Sequence, residues 1–315
     1  MKRKSVSRRR AAAAPGRSMR VRLTYFGAAG WEISDGQRVI LLDPYLSRVR
    51  FRGRAFGAPT SPAIPGDERP IFGPDDPPIP DTETISAHIK RADFILISHS
   101  HFNHCMDMPY IARTTGATVI GTESTMNVAR ACGVAEEQLI AVRGGEDYEF
   151  GGFSVKVIPS LHSAMNDKRY FNSAIIPRDV RPPLRLRDYV EGGTLAYFIR
   201  LGGHSILAFC SMNYIEREIE GLRPGAVLIP AARARTEIHE YTQRLLHAVG
   251  FPPMVIATHW DTQSAPYGVS QAAELEQAES FVSEVEGVSP KARVTVARHF
   301  EAIVLDGRSR RRGSS

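Results

Sequence analysis

A chain of 315 residues, 43% hydrophobic and 23% charged, has the composition of a globular protein that can bury an ample core, as one large domain or two small ones. No apolar run approaches the roughly 18 residues of a membrane span, so a helical membrane protein is excluded and the chain reads as soluble. The net charge of +6 invites a nucleic-acid reading, but residues 1–18 carry seven cations and residues 307–315 four more, with no acid in either stretch. Removing those eleven charges leaves residues 19–306 at −5, so the basicity belongs to tails that read as disordered arms. Nucleic acid as a specific partner is disfavoured.

Arg8–Arg10 precede an alanine run, yet only four alanines stand before Pro15 and Gly16, too few for the roughly 7–15 apolar residues of an export signal. Met19 opens a strand pattern and reads as an alternative start. Cys105, Cys132 and Cys210 form no close pair in the sequence and suit a reducing compartment, with the cytoplasm as the default.

Val21–Gly27 alternates like a strand. Trp31–Ser34 and Arg38–Leu42 follow across Asp35-Gly36, a hairpin signal, so the chain begins antiparallel rather than doubly wound. Residues 44–80 hold nine of the 21 prolines and the run Arg48, Arg50, Arg52, Arg54, a long loop of the kind that is functional or disordered. Strand and helix then alternate: strand Ala92–Ser98, helix Met108–Thr114, strand Ala117–Ile120, helix Glu123–Cys132, strand Phe153–Pro159. A second irregular stretch, 163–191, carries Lys168, Arg169, Arg178, Arg181, Arg185 and Arg187.

The second half repeats that logic. Thr194–Leu201 and Ser205–Phe209 predict a hairpin across Gly202-Gly203-His204. Helix Glu237–Val249 follows, then strand Met254–Ala257. Helix Ser270–Glu286 is expected to bury Leu275, Ala278, Val282 and Val285, and strands Arg293–Ala297 and Ala302–Leu305 close the chain. Two sheets packed face to face with helices outside, in a single domain over 19–306, accommodate this order.

The chemistry concentrates in Ile97-Ser-His99-Ser-His101-Phe-Asn103-His104-Cys-Met-Asp107. The run leaves a buried strand and enters a helix. His99 and His101, two apart on extended chain, point the same way, and His104 on the first helical turn can swing back toward them. Three imidazoles in six residues are a strong signal for a divalent transition metal, zinc first, with manganese or iron as alternatives. A polar surface loop is the plainer alternative.

These residues resemble the metallo-β-lactamase superfamily, whose hallmark is H-x-H-x-D-H after a strand. Leu41-Leu42-Asp43-Pro44 is similar to the family's acid-bearing strand end. A lone histidine stands in Ile158-Pro-Ser-Leu-His162-Ser, and Ala257-Thr-His259-Trp260-Asp261 is similar to the family's last metal histidine. The flavour is nearest the branch with ascorbate-6-phosphate lactonase and the N-acyl-phosphatidylethanolamine phospholipases. The resemblance implies a four-layer αββα sandwich. It also implies His99, His101 and His162 around one metal, His104 and His259 around a second, and Asp43 orienting a ligating imidazole or else capping the turn at Pro44.

Two family carboxylates are absent. Asn103 stands for the Asp of the hallmark, and Ser211 falls opposite the family's bridging Asp, in Phe209-Cys210-Ser211-Met212-Asn213. Two divalent cations need anionic ligands to offset their repulsion, so one tightly bound ion is expected. Cys210 would rescue the second position if its thiolate replaced Ser211, and reads otherwise as a small buried hydrophobe. His88, His204, His239, His247 and His299 have no ligand-like partner at short spacing.

Two functions follow. The first is a hydrolase that uses metal-activated water on an ester, lactone or phosphodiester, with His99, His101, His104 and Asn103 as the catalytic positions. Asn103 can hydrogen-bond the water but cannot take its proton. The arginines of 48–54 and 168–187 would flank the mouth and favour an anionic small-molecule substrate, unless they are solvated loop charge. The second is a metal-binding module of the same fold that lost turnover, with the two missing carboxylates as its motive.

Overall fold

A computed structural model describes residues 19–53, 60–165 and 168–306. Both basic tails and Arg54 lie outside the described residues.

In β1 (Val21–Gly27) Val21, Leu23 and Tyr25 are buried and Arg22 is exposed, the two-residue period of a strand with one face on the core. It pairs antiparallel with β2 (Gly30–Ser34), and β2 with β3 (Val39–Leu42). The turn between them forms because the Asp35 carboxylate accepts the backbone N–H of Gln37 and Arg38 while Gly36 takes φ +87°. The proline-rich loop holds a short parallel ribbon, β4 (Arg50–Phe51) with β5 (Ile71–Phe72), and ends in α1 (Thr82–His88), capped by Asp81.

β6 (Phe94–Leu96) then adds parallel to β3. After it come α2 (Phe102–Cys105), α3 (Met108–Thr115), β7 (Thr118–Gly121), α4 (Glu123–Ala131) and β8 (Leu139–Ala141), and β7 and β8 extend the parallel half of the sheet. The second sheet repeats the scheme. β9 (Asp147–Glu149), β10 (Phe153–Pro159), β11 (Leu195–Leu201) and β12 (His204–Ala208) are antiparallel. α5 (Glu216–Ile219), β13 (Ala226–Pro230), α6 (Tyr241–Ala248), β14 (Met254–Thr258), α7 (Ala272–Val288) and β15 (Arg293–Val296) complete the parallel part, and β16 (Ala302–Leu305) returns to pair with β1.

The sheet orders are β16-β1-β2-β3-β6-β7-β8 and β15-β14-β13-β12-β11-β10-β9. Val21, Leu23, Trp31 and Ile33 of the first sheet share one apolar core with Val155, Val157, Ile199 and Leu207 of the second. Ile95, Val119, Phe102, Ile111 and Met126 form a separate core between the first sheet and its helices. The expected αββα sandwich is therefore the fold. Among the described residues no helix is long and apolar enough to cross a membrane.

Some expected boundaries move. The helix expected from Glu237 starts at Tyr241, because Glu240 sits at φ +47° and breaks any helix running through it. In α7 the buried side chains are Ala278, Phe281 and Val285, so Phe281 takes the place expected for Val282. The strands β3, β6, β10, β12 and β14 all end at the same edge of the sandwich. There Tyr197 donates to Ile97 O at 2.7 Å and Trp31 Nε1 to Thr258 Oγ1 at 3.0 Å, tying one sheet to the other.

Candidate metal centre

The site is built on those strand ends. Asp43, one residue past β3, is fully buried. Its Oδ1 accepts Ser98 N–H at 2.6 Å, and its Oδ2 accepts the Ser98 hydroxyl and His104 Nδ1–H, the latter at 2.6 Å. A carboxylate oxygen in this bond accepts, so His104 donates from Nδ1 and Nε2 is the nitrogen it could offer to a metal. Ser98, having spent its hydrogen on Asp43, accepts from His99 Nδ1 at 2.9 Å. One carboxylate thus sets two imidazoles, one directly and one through a hydroxyl.

His162 reaches the same place from beyond β10. Its Nδ1 donates to Ser163 O at 3.1 Å, which turns Nε2 toward His101 Nδ1, 3.2 Å away. Ligand atoms of His99, His101 and His162 lie within 4.8 Å of one another, all three residues buried. His104 lies beside His99, its ring tilted by 44° with 3.8 Å between centroids, and the half-buried His259, beyond β14, stands 5.5 Å from His104.

Burial, and then the neighbouring imidazoles, hold His99 and His101 well below the usual histidine range. Burial and His104 bring His162 and His259 down to about 4. His99, His101, His162 and His259 are therefore neutral at pH 7, the form that ligates metals.

This donor set fits a divalent transition metal. His99 Nε2 is buried with no hydrogen-bond partner among the described residues, an arrangement that costs about 1–3 kcal/mol unless something occupies the lone pair. The 3.2 Å between His101 Nδ1 and His162 Nε2 is close to the roughly 3.3 Å that separates two nitrogens bound at about 2.0–2.1 Å to a tetrahedral ion.

The remaining expected residues fall as follows. Asn103 is buried on α2 between His101 and His104. Cys210 lies behind Asp43, its thiol within hydrogen-bonding reach of that carboxylate and of Ser98, and burial pushes it well above the usual thiol range. Ser211 Oγ accepts Ser163 N–H at 2.9 Å and meets Ser163 Oγ at 2.9 Å, joining the β12 and β10 loops. The reading of the 48–54 arginines as charge at the mouth is corrected for Arg48 and Arg50, while Arg52 is exposed and Arg54 lies outside the described residues. Arg48 is fully buried against Asp261, Arg50 is spent on Asp67, and Arg52 stands 3.9 Å from Asp76.

Sequence reasoning missed the roles of Ser98 and Asp261, placed Arg48 at the mouth rather than against Asp261, and set His299 aside although it contacts Asp261 at 3.0 Å. The usable signals were position: Ser98 precedes the first histidine, and Asp261 follows His259 by two. Asp107, also missed, accepts the N–H of Leu46 and Ser47 at 2.7 and 2.9 Å and pins the loop that leaves Asp43.

The fold and this histidine site define a class, and the chain belongs to it: the family model described as "Beta-lactamase superfamily domain" matches residues 22–243. Among the relatives it is 25% identical over 252 residues to a UPF0173 metal-dependent hydrolase of Heliobacterium modesticaldum, covering 76% of this chain and 82% of that one. It is 30% identical over 146 residues to another UPF0173 metal-dependent hydrolase, from Pyrobaculum aerophilum, covering 46% of this chain and 52% of that one. The chain thus spans about half the length of the Pyrobaculum relative.

Solved structures share the fold at lower identity. Igni18, a metallo hydrolase from the archaeon Ignicoccus hospitalis, superposes with TM-score 0.53 at 17% identity, over 92% of this chain and 100% of that one. CmlA, a diiron β-hydroxylase from Streptomyces venezuelae, superposes with TM-score 0.53 at 16% identity, over 93% and 55%.

Proposed function

We propose that the protein is a metal-dependent hydrolase of small molecules whose single tightly held divalent metal is bound by His99, His101 and His162. The observation that carries this is the convergence of three buried neutral imidazoles, with the lone pair of His99 Nε2 left unmatched. A divalent metal there supplies Lewis-acid polarisation and a hydroxide nucleophile at neutral pH. The chain's own groups do the rest. Asp43 holds His104 directly and His99 through Ser98. Asn103, in the first turn of α2, can hold a water by hydrogen bonding but cannot accept its proton.

Zinc is the ion proposed, with manganese or iron as alternatives, and the bond cleaved is an ester, lactone or phosphodiester. An anionic substrate loses the support of Arg48 and Arg50, and Arg185 and Arg187 pair with Asp188 and Asp75. Charge selection then rests on the exposed Arg169, Arg178 and Arg181. The three cysteines are free thiols, which supports work in the cytoplasm.

A second reading, metal binding without turnover, is favoured by one observation: Ser211, where the family's bridging carboxylate falls, is engaged with Ser163. Hydrolysis of a panel of lactones, esters and phosphodiesters by the zinc-loaded chain decides between the two. Turnover abolished by His101→Ala supports the hydrolase. A chain that binds zinc stoichiometrically and turns over nothing in the panel supports the second reading.

A further inference from the structure

His259 is the one proposed metal-site histidine that is not fully enclosed, and its backbone sits at φ +47°, a conformation that non-glycine residues adopt only when their surroundings enforce it. The residues on either side are pinned. Thr258 accepts from Trp31 through Oγ1 at 3.0 Å and from Ala231 N–H through its carbonyl at 2.7 Å. Trp260 Nε1 donates to Ala297 O at 2.8 Å, and its ring stacks on His299.

Asp261 is pinned most of all. Its Oδ1 accepts Tyr25 Oη–H at 2.9 Å and Ala28 N–H at 2.8 Å, while its Oδ2 meets Arg48 Nη1 at 2.8 Å and His299 Nε2 at 3.0 Å. Arg48 in turn donates to Thr262 O at 2.6 Å and to Ala265 O, and Arg69 donates to Ser264 O at 2.8 Å. Gly27 lacks a Cβ where one would collide with the Arg48 guanidinium. Ala28, Arg48, His259 and Phe300, four segments that meet in this cluster, are all left-handed non-glycine residues. A buried ion pair is poor evidence for stability, and one surrounded by strained turns at a site points to geometry instead.

We propose that Asp261, clamped by Arg48, is the positioning residue for His259: the clamp holds the left-handed turn that aims the His259 imidazole at His104. This rests on the metal-site reading above only for its second readout. A fixed shell around a ligand is what sets its orientation before the metal arrives.

The test uses the full-length chain labelled with nitrogen-15 in its histidines, metal-free at neutral pH, with ring-nitrogen NMR signals of His259 assigned by their loss in His259→Ala. The wild type is expected to show one fixed tautomer. Asp261→Asn is expected to average the two ring-nitrogen shifts while thermal unfolding still reports a folded chain. Retention of the fixed pattern in folded Asp261→Asn overturns the proposal. Should that variant not fold, Tyr25→Phe and His299→Ala each remove one partner of Asp261, and an unchanged pattern in both overturns it equally.

Cobalt(II) titration supplies the second readout. Asp261→Asn is expected to leave the first, tightly held cobalt unchanged, to weaken binding of a second cobalt about tenfold or more, and to change that second binding less than twofold in a His259→Ala background. An equal loss in both backgrounds makes Asp261 a merely structural residue and overturns the proposal. Averaged NMR shifts with unchanged affinity for the second cobalt keep the positioning role and overturn the reading of His259 as a ligand of that second metal.

Discussion

Asp43 and His104 meet at 2.6 Å, Oδ2 to Nδ1, at the buried edge where the first sheet hands the chain to α2. The same carboxylate holds the backbone and the hydroxyl of Ser98, and Ser98 holds His99. Every group facing Asp43 in these bonds is a donor, and this decides what a substitution does.

Asp43→Asn must aim its NH2 at one of those donors. The expected result is a loss of metal affinity of about 10–100-fold with a destabilisation of about 1–3 kcal/mol from the mismatched buried group. Ser98→Ala, which leaves His104 held and frees only His99, should lower the affinity to a similar degree and destabilise the fold less. Calorimetric zinc titration beside thermal unfolding checks both, and an Asp43→Asn variant with wild-type affinity would mean that this carboxylate orients nothing.

Metal content tests the proposed ligand set. The purified chain should hold about one zinc after dialysis, and His99→Ala, His101→Ala and His162→Ala should each lose it. His104→Ala and His259→Ala should keep it. Adding Asn103→Asp together with Ser211→Asp should raise the content toward two, because carboxylates relieve the repulsion between two cations. Elemental analysis reads all of these, and two tightly held ions in the unaltered chain would refute the single-metal proposal.

What the sequence made legible was local. The Asp35-Gly36 hairpin, the strand ahead of His99 and the helix at 108–115 each announce themselves within a few residues, by turn chemistry or period. His162 and His259 carried no local signal and were found only through a resemblance. The Arg48–Asp261 pair joins two loops far apart in the chain, and loops have no periodicity from which a partner could be read. Strands of three residues, such as Leu139–Ala141 and Asp147–Glu149, are too short to show alternation. The left-handed Glu240 that delays α6 is a backbone conformation that Glu rarely takes.

Asp107 offers a test of the scaffold rather than the ligands. It is fully buried, accepts from Leu46 N and Ser47 N and from the Ser47 hydroxyl at 2.5 Å, and so fixes the loop between Asp43 and Arg48. Asp107→Ala strands two backbone donors, at about 1–3 kcal/mol for each one left unmatched. Urea unfolding should show a lower midpoint with an unchanged slope. A midpoint within error of the wild type would mean that water replaces the carboxylate without loss.

Acid should unfold the metal-free chain through its histidines. Burial brings His162 to about 4 from an ordinary 6.5, so between those values the unfolded chain binds a proton that the folded chain refuses. Stability therefore rises with pH across that window and is lost as pH falls through it. One pKa unit is about 1.4 kcal/mol, which makes this residue alone worth on the order of 3 kcal/mol. His99, His101 and His259, also depressed by burial, act with the same sign. Asp107 opposes them: burial raises it to about 6 from 3.8, so the folded chain holds a proton the unfolded chain has released, and this contribution is lost as pH rises through the same range. Asp261, held low by Arg48 and His299 against the burial that would raise it, titrates below the window. With four buried histidines outweighing Asp107 and the partly buried Glu32 and Glu191, whose carboxyls burial also raises, the melting temperature of chelator-treated protein should fall from pH 7 to pH 4.5. His162→Gln should flatten that acid limb and Asp107→Asn should steepen it. A limb that His162→Gln leaves unchanged would place the acid sensitivity outside the histidine cluster.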